Sequence, residues 1–332
     1  MTTLTKAFIR YLEGYRKTVV FALTTQCNCK CLMCDMHTKE PEYISLKDAK
    51  KILDFLKNNK FLIVYFTGGE PTLHPHIVEI VEYANKLDLI SSMTSNGTSS
   101  KQLLTDLKKA GLYTISISLD HWNPFICEKI RGHKNIMAKQ LETIRYLKEI
   151  GVRTYALVFL NTFLVEKGID KLITYVNEEL KVPFGFCYPT KAAINSYGLG
   201  GVFSEEELYD KMEECVNTIL ASKKKGQVIA NLYTYIEDIV NFHNKDNPNF
   251  YCKGGEDVVY IDWLGDVYPC FIKKKLFNIL KNDDPRFLKD VKCNDCVINC
   301  FREPSILPHA ISSPLLMMKE LWYSYNTKQL FS

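Results

Sequence analysis

Residues 27–34 read Cys27-Asn28-Cys29-Lys30-Cys31-Leu32-Met33-Cys34 and follow the apolar run Val19-Val20-Phe21-Ala22-Leu23. That run reads as a buried strand, so Cys27, Cys31 and Cys34, spaced C-x3-C-x2-C, project from a loop at a strand end. Structural zinc and ordinary iron–sulfur centres take four protein ligands. Three thiolates therefore recruit a distant fourth residue or leave one metal position open for chemistry.

Outward from this loop the pattern alternates. Strand-like runs fall near 18–24, 61–66, 89–94, 112–119, 152–159 and 183–188, with helical patterns between them. Ser45 with Asp48 makes a capping-box-like start for a helix whose face carries Leu46, Ala49, Ile52, Leu53 and Leu56. Leu103, Leu104, Leu107 and Ala110 mark another, closed by Gly111 as a C′ residue, and Gly151 repeats that device before the fifth strand. Six β-then-α units predict a parallel sheet with right-handed crossovers, and six rather than eight predict a partial barrel. In barrel enzymes chemistry collects at the carboxyl ends of the strands. The cysteine loop, Gly68-Gly69-Glu70, Ser95-Asn96 and Asp120 all fall at such ends.

The cysteine loop resembles the signature of the radical S-adenosylmethionine (SAM) enzymes. Thr67-Gly68-Gly69-Glu70-Pro71 resembles that family's G-G-E-P motif, Ser95-Asn96-Gly97 its S-N-G, and Ser116-Ile117-Ser118-Leu119-Asp120 its S-x-S-L-D, in the family's order. The resemblance implies an α/β fold, a partial (β/α)6 TIM-like barrel, with a [4Fe–4S] cluster on Cys27, Cys31 and Cys34 whose open iron is chelated by SAM. It further implies Glu70 as acceptor for the SAM ammonium, Gly68, Gly69 and Pro71 as the loop that lets backbone approach the ligand, and Ser95, Asn96 and Ser118 as polar contacts. Asp120 would orient ribose or cap the next turn, and Arg131 would pair with the SAM carboxylate or form a surface salt bridge. Met33 stands where the family often has an aromatic residue, and its thioether can pack on a purine face. Cys29 does not match the motif spacing and reads as a bystander. Cys187, with Tyr188 at the end of the sixth strand, is a candidate hydrogen-atom donor or a small buried hydrophobe.

A second cysteine group follows a linker at 244–249. Cys252 and Cys270 bracket a hairpin that turns at Leu264-Gly265-Asp266, and Cys293, Cys296 and Cys300 supply C-x2-C-x3-C. The arrangement is similar to the twitch and SPASM auxiliary-cluster domains. It implies a second [4Fe–4S] cluster on four of these five, Cys252, Cys270, Cys293 and Cys296 first. A structural zinc site is the alternative, since four cysteines in two pairs also suit zinc. The expected division is an N-terminal amphipathic helix at 1–17, the barrel at 18–245, and at 246–332 a small cysteine-rich α+β domain with a C-terminal helix.

The chain has 332 residues, 46% of them hydrophobic, and a formal net charge of +4. Such a balance supports one substantial core with an appended unit and gives no case for nucleic acid binding. Lys223-Lys224-Lys225 and Lys273-Lys274-Lys275 read as solvated faces or as a docking patch for a small electron donor such as flavodoxin or ferredoxin. Twelve cysteines without an apolar leader after Met1 point to a reducing cytoplasm and metal ligation, and no run approaches a membrane span. His74, His76, His121 and His133 lack ligand spacing to any other site element and read as packing or surface residues. The expected function is reductive cleavage of SAM for radical chemistry on a small molecule. Cys293 to Ser305 looks similar to a segment of adenosylhopane synthase-like enzymes, which with the apolar tail at 315–323 raises an isoprenoid or lipid substrate. The alternatives are a peptide-modifying maturase and, from another class, a non-catalytic electron carrier or zinc-bearing nucleic-acid module.

Overall fold

The computed structural model describes residues 9–15, 17–165, 168–189, 205–281, 283–306 and 313–331. Strands β1 (Lys17–Ala22), β2 (Phe61–Thr67), β3 (Ile90–Ser95), β4 (Thr114–Ser118), β5 (Arg153–Phe159) and β6 (Phe184–Cys187) form the expected parallel set. Intervening helices are α1 (Leu46–Asn58), α2 (Ile77–Lys86), α3 (Lys101–Lys109), α4 (Pro124–Arg131) and α5 (Ile136–Glu149). Ser45 accepts the Asp48 amide at 3.1 Å, so α1 begins where its capping box predicts. Ala49, Ile52, Leu53 and Leu56 of α1 are fully buried, which fits a stripe of 3.6-residue period laid on the sheet.

The sheet has nine strands in the order β6-β5-β4-β3-β2-β1-β7-β8-β9. It curls without closing. Strand β7 (Val258–Ile261) lies parallel to β1 with Val19 opposite Val259, and the antiparallel β8 (Asp266–Tyr268) and β9 (Phe277–Asn278) complete that edge. The hairpin is where the cysteine spacing placed it, but its continuity with the barrel sheet is a long-range pairing that no local pattern encodes. The inner face of the sheet is partly polar: Thr94 and Ser116 hydroxyls lie 2.8 Å apart, and Tyr65 bonds to both.

Helices α6 (Thr162–Val165) and α7 (Ile169–Thr174) precede β6. The later helices are α8 (Glu205–Lys224), α9 (Tyr233–His243), α10 (Asn299–Arg302) and α11 (Pro314–Phe331). Residues 1–8 and 16 of the expected N-terminal amphipathic helix lie outside the described residues. Lys223 corrects the reading of 223–225 as a uniformly solvated face. It is buried and donates to the Ile229 and Asn231 carbonyls, both at 2.7 Å, while burial lowers its pKa to about 8. The N-terminus of α9 is held by carboxylates from distant segments. Glu320 accepts the Tyr233 and Thr234 amides at 3.0 and 2.6 Å, and Glu303 accepts the Leu232 amide at 2.6 Å. No helix among the described residues is long and apolar enough to cross a membrane.

Arg302, 1% exposed, donates through Nε and Nη2 to buried Asp238 of α9 and also bonds to the Phe250 carbonyl at 3.2 Å. Removing one partner of such a pair strands a buried charge. Asp238→Ala is expected to lower the unfolding free energy by about 3–5 kcal/mol, read by chemical denaturation. Asp238→Asn, which keeps an acceptor, costs less.

Candidate functional site

Gly69 donates its amide to the Thr24 carbonyl and Glu70 to the Gln26 carbonyl, both at 2.7 Å. These bonds draw the loop after β2 onto the loop after β1. A Cβ on Gly69 would lie 2.1 Å from Gln26 O, and one on Gly68, whose φ is +132°, would lie 2.4 Å from Thr24 O. Close backbone approach therefore requires both glycines. The surface they approach is the first loop.

Glu70 is buried, and its oxygens are directed by the same packing. Oε1 accepts the Thr72 amide and hydroxyl at 3.1 and 2.6 Å, and Oε2 accepts the Asn96 amide at 2.6 Å. Burial raises its pKa while these bonds oppose the rise. Glu70 thus caps its own short turn and ties the β2 loop to the β3 loop. Asn96 extends the link, donating to Asn28 Oδ1 at 2.6 Å, within the cysteine loop.

In that loop Cys29 is 1% exposed, and its amide faces Cys27 Sγ at 3.5 Å. The Cys29 thiol donates towards Cys27 and Cys31. That donation is the main cause lowering Cys27 and taking Cys31 down to about 7, with the Arg131 charge helping at Cys31 against burial. At Cys34 burial outweighs the Met36 amide bond and pushes the thiol up to about 12. The far wall comes from α4. Its start is set by Asn123, which accepts the Phe125 amide at 2.9 Å, and its end by Gly132 in the left-handed region. Arg131 at that end donates Nε to Asp120 at 2.5 Å and Nη1 to Cys31 Sγ at 3.7 Å.

These elements enclose one cavity at the carboxyl ends of β1 to β6. Cys27, Cys29, Cys31, Cys34 and Met33 line it, as do Gly68, Gly69, Glu70, Ser95, Asn96, Ser118, Arg131 and Cys187. Asp120 departs from the ribose or turn-capping expectation. It is fully buried behind the wall, where it takes Arg131 and accepts the Phe159 amide at 2.8 Å. The surface salt bridge considered for Arg131 is likewise a buried pair, with side-chain exposures of 13% and 0%. Sequence reading missed His37, Leu157 and Phe159, which also line the cavity. For the last two the signal is available, because alternate residues of one strand share a face. His37 follows Cys34 by three residues, with no pattern to mark it.

The later cysteines form a separate group. Cys252 and Cys270 belong to a small core with Val20, Tyr260 and Phe301, against which Cys293, Cys296 and Cys300 pack. The Cys252 amide donates to the Cys293 carbonyl at 3.0 Å. Burial raises the Cys296 thiol to about 12, and the sulfurs of Cys252, Cys270 and Cys293 add to the rise. The influence of Cys300 falls instead on Cys187, whose pKa is raised first by burial and next by the Cys300 sulfur. The α10 turn docks there because Asn231 bonds both Phe186 of β6 and Glu303. Among the described residues, no three His, Cys, Asp or Glu side chains close on a single-ion position.

A family model described as the Radical SAM superfamily matches residues 21–170. A probable GTP 3′,8-cyclase of Saccharolobus islandicus is 30% identical over 221 residues, covering 65% of this chain and 68% of that protein. The Fe-coproporphyrin III synthase of Methanosarcina barkeri is 26% identical over 222 residues, 65% of this chain and 54% of that protein. The chain spans about half the length of this last relative and of others it matches. Among solved structures, Streptococcus suis SuiB bound to S-adenosylmethionine shares the fold with a TM-score of 0.64 at 18% identity, over 84% of this chain and 68% of that one.

Thiolate, not thiol, is the alkylating nucleophile, so a lowered pKa means reaction at lower pH. Iodoacetamide treatment of the metal-free protein should modify Cys31 with an apparent pKa near 7 while Cys34 stays unmodified below about pH 10. Peptide mass spectrometry across a pH series reads both.

Proposed function

The chain belongs to the radical SAM superfamily, and from that we propose that it is an enzyme whose cavity holds a [4Fe–4S] cluster on Cys27, Cys31 and Cys34 with S-adenosylmethionine beside it, acting on a small organic substrate. One observation carries this reading. The three motif cysteines share a cavity with a buried carboxylate, a guanidinium, four hydroxyls and an amide, a donor set that suits a soft metal cluster on one side and a zwitterionic amino acid on the other. When bound, the pair supplies one-electron cleavage of a sulfonium carbon–sulfur bond and, from it, hydrogen-atom abstraction.

The residues of the chain bind, orient and exclude water. Cys27 and Cys31 are brought towards thiolate by Cys29, which itself stays protonated and so serves as a donor to ligand sulfur. Glu70, already fixed by Thr72 and Asn96, offers the remaining lone pairs of its oxygens to an ammonium. Arg131 has guanidinium donors beyond those spent on Asp120 and Cys31 for a carboxylate. Ser95, Asn96 and Ser118 supply polar contacts, and Met33 an apolar face for a purine. Cys187, which also lines the cavity, is the proposed donor of a hydrogen atom to a substrate radical, its own sulfur keeping the unpaired electron.

Cys252, Cys270, Cys293 and Cys296 would hold a second cluster. Their mutual electrostatic influence, from which Cys300 stands apart, supports that set. The small-molecule reading draws on the relatives named as a cyclase of GTP and as an Fe-coproporphyrin synthase. A small flavodoxin- or ferredoxin-type protein is the proposed reductant.

Anaerobic reconstitution with iron and sulfide, then dithionite and S-adenosylmethionine, should yield 5′-deoxyadenosine, and Cys31→Ala should abolish it. Cys29→Ala should keep the iron content. Iron and sulfide at twice the amount of a single cluster support the second site, and Cys293→Ala should halve them. Zinc in place of iron would sink the assignment. Comparing small metabolites, lipids and peptides from cells with and without the gene decides the substrate class, a change confined to peptides counting against a small-molecule substrate.

A further inference from the structure

We propose that Arg131, clamped by Asp120, is a positioning residue for the cluster that the preceding reading puts on Cys31: it fixes that ligand sulfur and raises the cluster's reduction potential. The proposal rests on that reading and deepens it.

Three features tie the end of α4 to the cysteine loop. The Lys30 amide donates to the Arg131 carbonyl at 3.0 Å and the Leu32 amide to the Ile130 carbonyl at 2.9 Å, on either side of Cys31. Gly132 lets the chain turn away, since a Cβ there would meet Lys30 O at 2.3 Å. The Arg131 side chain then reaches the sulfur of Cys31 itself at 3.7 Å. The loop and the guanidinium are therefore placed by the same helix end.

Asp120 holds the other side of the fork. Its Oδ2 takes Arg131 Nε, its Oδ1 takes the Phe159 amide, and its carbonyl takes Asn161 Nδ2 at 3.3 Å, so the carboxylate is anchored to the β5 end. A guanidinium gripped in this way has one orientation, unlike a mobile lysine. Asp120 also offsets its charge, leaving a dipole whose positive end faces Cys31. Hydrogen bonds to ligand sulfur draw electron density from a cluster and favour its reduced, more negative state. In a site that must deliver an electron at low potential, such a bond sets how easily the cluster accepts one.

The test is a redox titration of the reconstituted holoenzyme, followed by electron paramagnetic resonance. The relevant signal is the one whose g-values move when S-adenosylmethionine is added, which separates this cluster from any other. Arg131→Gln should lower its midpoint potential, so that the ratio of reduced to oxidised cluster at a fixed applied potential falls about tenfold, as for one hydrogen bond to a charged group. Arg131→Lys should fall between the two. Should Arg131→Gln lose its iron, Arg131→Lys carries the comparison. Wild-type potential in an iron-replete Arg131 variant overturns the proposal. A wild-type protein with no signal that responds to S-adenosylmethionine instead overturns the underlying reading, and this proposal with it.

Discussion

Two main-chain hydrogen bonds, from Gly69 to Thr24 and from Glu70 to Gln26, set the geometry on which the site depends. They force the loops after β1 and β2 into backbone contact, and only residues without a Cβ fit at 68 and 69. Once those loops meet, the Glu70 carboxylate has one place to go. It satisfies Thr72 and Asn96, and Asn96 reaches Asn28, so three strand ends are joined through polar groups that burial makes costly to leave unpaired. The cysteines are thus carried on a braced loop.

The second brace comes from the other side of the sheet. Strand β7 beside β1 puts the late cysteine group next to Val20 and Ala22, directly before the first cysteine loop. Arg302 and Glu303, adjacent in sequence, fasten the same segment to Asp238 and to the start of α9, and Asn231 carries the link to β6. The barrel wall and the late cysteines share a support. Cys187 and Cys300 lie where these two meet.

Much of this was legible in the sequence. Strands β1 to β6 all begin and end within two residues of their apolar runs, because half-buried strands and amphipathic helices announce themselves by local period. Ser45, Gly111 and Gly151 mark helix ends through chemistry that reaches only a few residues. The gathering of cysteines, Glu70, Ser95, Asn96 and Ser118 in one cavity followed from the rule that parallel strands present their carboxyl ends together.

What the sequence by itself determined is the α/β alternation, the strand-end placement of the motifs and the division of the cysteines into an early and a late group, all consequences of short-range periodicity and spacing. Only the tertiary structure decided that Lys223 is buried in a basic run, that Asp120 serves Arg131 rather than the cavity, and that the Cys300 sulfur helps to raise the Cys187 thiol. Each of these depends on which residue stands opposite after the sheet has curled. A charge on one segment carries no record of the partner that folding will bring to it.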